Sequence, residues 1–108
     1  MTEKLDVLVR VDLEGAHVQI TVQGRVTEQS VQALYVVAKR ANALMRGLEM
    51  DIDLTRASVA PAALDQLRAS SESGHLPAHI DPRQADCRLS VLAPAEVLTT
   101  VGNARLAA

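Results

Sequence analysis

Leu48-Glu49-Met50-Asp51-Ile52-Asp53-Leu54 carries the reading that decides the fold. Apolar side chains alternate with acidic ones at a period of two, the pattern of a strand with one dry and one wet face. A parallel strand covered on both sides would read as an unbroken apolar run. The sheet holding this segment is therefore expected to carry helices on one side and water on the other.

The same period recurs toward the N-terminus. Leu5, Val7, Val9, Val11 and Leu13 are apolar, while Asp6, Arg10 and Asp12 between them are charged. After Glu14-Gly15, Val18, Ile20 and Val22 alternate with His17, Gln19, Thr21 and Gln23, and Gly24 is expected to end the run. Two alternating runs joined by a short glycine-containing turn read as an antiparallel hairpin, with the odd positions of its first strand turned inward. The period then changes. Val31, Leu34, Tyr35, Ala38, Ala41, Met45 and Leu48 recur at three- and four-residue steps, one apolar stripe along a helix. Thr27 suits its N-cap, Glu28 its first turn, Lys39, Arg40 and Arg46 its C-terminal end, and Gly47 its termination.

Beyond the deciding strand, Thr55-Arg56-Ala57 reads as a connection into a second helix over Ala60–Ser71, with Pro61 in its first turn and Ala63, Leu64 and Leu67 as its stripe. Residues 70–86, containing Gly74, Pro77 and Pro82, form a long loop for so small a domain. Cys87–Ala93 is a last strand with Leu89 and Val91 inward, and Pro94 and Glu96 open a third helix carrying Val97, Leu98, Val101 and Leu106. The expectation is a single α/β domain over residues 1–108: a mixed β-sheet with amphipathic helices packed mainly on one face.

Composition narrows the function classes. With 108 residues there is room for one domain, and 48% hydrophobic against 22% charged residues is a globular balance. Phe and Trp are absent and Tyr35 is the one aromatic, which argues against recognition of single-stranded nucleic acid by stacking. The net charge is −2 and no basic run exceeds Lys39-Arg40, so no nucleic-acid partner is expected. Cys87 has no second cysteine to pair with, Met1–Asp6 lacks a signal-peptide pattern, and no apolar run is long enough to span a membrane. These readings give a cytoplasmic protein with no membrane partner.

Three groups could carry chemistry. Glu49, Asp51 and Asp53 point to one side of one strand, but side chains two apart are about 7 Å from each other, so an ion would need further ligands. His75, His79, Asp81, Asp86 and Cys87 are close in sequence, yet Pro77 breaks the helix that a His-x3-His zinc pair would use. Cys87, next to Asp86, lacks the electropositive setting of a nucleophile. The expectation is a non-enzymatic protein with no cofactor and no metal.

The run His17–Thr27 resembles the second strand and following glycine of STAS domains, the sulphate-transporter and anti-sigma-factor-antagonist family. Asp53-Leu54-Thr55 looks like that family's Asp-Leu-Ser at the end of the third strand, and Leu89–Leu98 resembles its last strand and C-terminal helix. The resemblance spans most of the chain, with residues 70–86 as an insertion. It implies a bacterial transcription-regulating module that binds a protein, namely a kinase-like anti-sigma factor, through the loop and helix start holding Thr55, Arg56, Ser58 and Ala62. In the family that loop carries Asp-Ser-(Ser/Thr)-Gly-Leu with a phosphorylated serine, whereas this chain has Ala60-Pro61-Ala62-Ala63-Leu64. Without the acceptor hydroxyl, the usual phosphorylation switch is lost. A small-ligand or nucleotide-binding domain is the alternative.

Overall fold

A computed structural model describes residues 5–45 and 47–93. The chain runs β1 (Asp6–Asp12), β2 (His17–Val26), α1 (Val31–Asn42), β3 (Glu49–Val59), α2 (Pro61–Ser73) and β4 (Arg88–Leu92). The four strands form one sheet in the order β1-β2-β3-β4, antiparallel between β1 and β2 and parallel thereafter. Because β2, β3 and β4 advance across the sheet in one direction, right-handed crossovers set α1 and α2 on the same face. Burial agrees: Val18, Ile20, Val22, Met50, Ile52 and Leu54 meet Leu34, Tyr35 and Ala38 of α1 and Ala63, Leu64 and Leu67 of α2 in one core. On the other face Gln19, Thr21, Asp51 and Asp53 are half-exposed. The expected α/β sheet with one covered face is the observed one.

Several expectations are corrected. In β1 the odd residues do share a face with the buried residues of β2, since Val7, Val9 and Val11 pair with Val22, Ile20 and Val18. Yet Val9, Val11 and Leu13 are exposed, because α1 and α2, the helices among the described residues, lie over β2–β4 and stop short of this edge. Gly24 does not end β2: it sits inside the strand at φ 108, with Arg25 and Val26 still pairing to β3. The helix starts later than expected, so Thr27 and Glu28 both precede it. The N-cap is Ser30, not Thr27, and the two are tied together in the turn before Val31: the Thr27 amide donates to Ser30 Oγ (2.8 Å) and the Ser30 amide to Thr27 Oγ1 (3.1 Å). The helix also ends at Asn42, before Met45 and Gly47.

α2 runs to Ser73 and stops where Gly74 takes the left-handed conformation, φ 77, that glycine adopts without steric cost. The segment after it, expected as a long loop, is tied down along its length. The Cys87 amide donates to Gly74 O (2.8 Å), Lys39 Nζ to Ile80 O (2.9 Å) and Asn42 Nδ2 to Asp86 O (2.9 Å). Leu76 joins the core, and the buried Asp81 carboxylate accepts the Ala85 amide (3.0 Å). The expected third helix, with Pro94, Glu96, Val97, Leu98, Val101 and Leu106, lies outside the described residues.

Candidate partner-binding surface

The last third of β3 breaks the alternation that defines its start. Met50, Ile52 and Leu54 are buried, then Thr55 and Arg56 are both exposed, then Ala57 and Val59 are buried. The register to β2 shows why: Thr21 faces Asp53 but Gln23 faces Arg56, so β3 carries one extra residue. That is a β-bulge, and it moves the buried positions from even to odd. The expectation of a loop at Thr55-Arg56-Ala57 is thereby corrected, since these residues continue the strand.

Asp53 holds the bulge in place. Its Oδ1 accepts the Thr55 amide (3.0 Å) and the Thr55 hydroxyl (2.6 Å). The hydroxyl of Thr55, then the backbone bond, lower the Asp53 pKa below the ordinary carboxylate value, with Gln19 and the positive charge of Arg56 adding to it. A folded-state pKa below the unfolded one stabilises the fold above the ordinary carboxylate range, and that contribution is lost as pH falls through the lowered value. Asp53→Ala is expected to lose about 1 kcal/mol at pH 7. The deficit relative to wild type should shrink in urea melts at about pH 3; an unchanged deficit there would exclude the charged hydrogen bonds as its source.

Of the residues expected to meet a partner, Thr55, Arg56 and Ser58 are brought together on the outer part of β3, all exposed, while Ala62 is exposed in the first turn of α2 beyond the strand's end. Thr55 has its hydroxyl engaged by Asp53. Ser58, opposite Arg25 on β2, makes no side-chain hydrogen bond among the described residues. The helix start itself has no side-chain cap: Ala60 is the N-cap and Pro61 follows it.

Sequence reasoning did not foresee that Arg56 looks across the open face toward β1 and β2. Arg10, Gln19, Thr21, Gln23, Asp53 and Arg56 line a shallow cavity of about 440 Å³ there. The polar half of the alternation in both strands was the available signal, but the pairing register and the bulge were needed to bring Arg10 and Arg56 to one depression.

The acidic row is engaged residue by residue. Asp51 Oδ2 lies 2.8 Å from His17 Nε2, Asp53 holds Thr55, and Glu49 lies 3.7 Å from Arg88. His75 Nδ1 faces Ala85 O (3.4 Å) and His79 Nε2 faces Gln32 Oε1 (2.6 Å), so the two rings serve different partners. Among the described residues no three His, Cys, Asp or Glu side chains converge on a metal position. No helix among them is long and apolar enough to cross a membrane. Compared with known proteins, the chain matches no family model, no curated protein and no solved structure.

Proposed function

We propose that this chain is a regulatory protein-binding module of the STAS kind, without catalytic activity and without phosphorylation control at Ala62. The partner class is a kinase-like anti-sigma factor, which places the protein in the bacterial cytoplasm and in control of transcription. The observation that carries the reading is the bulge at Thr55, which turns Arg56 and Ser58 to solvent beside an uncapped helix start. Exposed polar side chains held by a rigid strand rather than a loose loop pay little ordering entropy on binding.

The test is calorimetric titration with a kinase-like anti-sigma factor. Arg56→Glu should weaken binding by about tenfold or more, the effect of reversing a charge at an interface centre. Asp12→Asn, at the far end of the sheet, should leave binding unchanged. Equal binding by wild type and Arg56→Glu would remove Arg56 from the interface.

The second reading, a small-ligand or nucleotide-binding domain, is favoured by the open-face cavity, whose volume falls within the range of small-molecule sites. Its signature is a rise in melting temperature with a nucleotide when no anti-sigma factor binds.

A further inference from the structure

Among the described residues β1 is an edge strand, with β2 on one side and no strand on the other. Its seven residues pair with β2 without a bulge, and neither proline nor glycine interrupts them. Edge strands of natural proteins are usually shortened, twisted away or broken, because a straight unpaired edge presents free amides and carbonyls to any other strand. This one also shows apolar side chains to water: Leu8 is 55% exposed, Val9 39% and Val11 46%. The opposite edge, β4, has only five residues.

We propose that β1 pairs antiparallel with β1 of a second copy of this chain, about a two-fold axis passing beside Leu8. The choice of occupant follows from the order of charges along the strand. An antiparallel pair of identical strands needs its two-fold perpendicular to the sheet, so odd residues face odd and even face even. The axis at Leu8 sets Leu8 against Leu8 of the second copy, Val7 against Val9, and Leu5 against Val11. It also sets Asp6 against Arg10 of the second copy, twice by symmetry. Between Leu5 and Val11 every apolar residue meets an apolar one and every charge meets its opposite. Moving the axis to Val9 sets Asp6 against Asp12 and Leu8 against Arg10. Moving it to Val7 sets Asp6 against Leu8. Only the Leu8-centred register is complementary throughout, and cross-strand pairs of this kind are what stabilise one register over another.

The same axis keeps the helices of both copies on one side of a joined eight-stranded sheet. Val7, Val9 and Val11 then form a continuous apolar row with their counterparts. Main-chain hydrogen bonds supply the attraction, as in other strand additions. A strand edge alone buries less than a standard interface of about 1,600 Å², so the association is weak and concentration-dependent.

Sedimentation equilibrium of the full chain from about 10 µM to about 1 mM reads this directly. The expected mass rises from the 11.6 kDa of one chain to twice that value. Arg10→Asp and Asp6→Arg, both at exposed positions, set like charges opposite each other and should each weaken self-association by about fivefold or more. The double variant Asp6→Arg/Arg10→Asp restores the opposite pairing and should recover wild-type affinity. A wild-type chain that stays monomeric throughout overturns the proposal, as does a double variant no tighter than the singles. Stronger association of Asp6→Arg alone would mean the Val9-centred register, since that variant relieves the Asp6–Asp12 clash, and would overturn this one.

Discussion

Tyr35→Ala is expected to destabilise the fold by about 3–5 kcal/mol, measured by urea denaturation. Tyr35 is fully buried on α1 and is the one aromatic ring of the chain. A core of Val, Leu, Ile, Met and Ala has no second ring to close over the void, so the cavity term adds to the lost transfer energy. Small domains are stable by about 5–15 kcal/mol in total, which leaves the variant close to unfolding. Tyr35→Phe separates the ring from its hydroxyl. The hydroxyl reaches Gln66 Oε1 on α2 at 3.5 Å, a long hydrogen bond. Its loss should cost about 1 kcal/mol or less. Equal losses for the two substitutions would show that the hydroxyl, and not the volume of the ring, holds α1 against α2.

Raising the pH is expected to weaken the fold between about pH 9 and 11. Cys87, buried just before β4, has its thiol pushed up from 9.0 to about 11, first by burial and then by the negative charge of Asp81. Asp81, not the sequence neighbour Asp86, is the carboxylate that matters, because the loop folds it inward. Burial also raises the Tyr35 phenol above 10.0, with a hydrogen bond from Ser70 acting the other way. Both groups are neutral when protonated. In the unfolded chain they ionise at their ordinary values, so across the interval the folded state holds more protons and stability falls as pH rises. Below pH 9 the contribution is fully present; above the folded values it is lost. Cys87 alone accounts for about 3 kcal/mol of that total decline. Urea melts at pH 8, 9.5 and 11 should show a steeper alkaline decline for wild type than for Cys87→Ala, and parallel declines would rule the thiol out. The same shift makes Cys87 slow to alkylate near neutral pH until the chain unfolds.

Much of this architecture was legible in the residues. The alternation of Met50, Ile52 and Leu54 with acidic neighbours named the covered face, and Leu34, Tyr35 and Ala38 named the helix stripe packed on it. Gly74 was read as part of a loop, yet it is the residue that ends α2. Gly24 misled because a glycine within a strand looks like a strand end, while here its positive φ is accommodated inside β2. The candidate site was legible as a list of residues, Thr55, Arg56, Ser58 and Ala62, but not as a shape. The break in alternation at Thr55-Arg56 reads as a loop to anyone counting periods, since a bulge is defined by the partner strand.

What the amino-acid order determined by itself was which side chains seek the dry face. Side-chain periodicity is a local property of each strand and helix, set by backbone geometry alone. What only the tertiary structure decided was how far that dry face is covered. The crossovers laid α1 and α2 over β2, β3 and β4, and among the described residues left the apolar row of β1 at an open edge. Coverage depends on the direction in which the chain crosses the sheet, and on where the strands end up relative to the helices, so no stretch of sequence contains it.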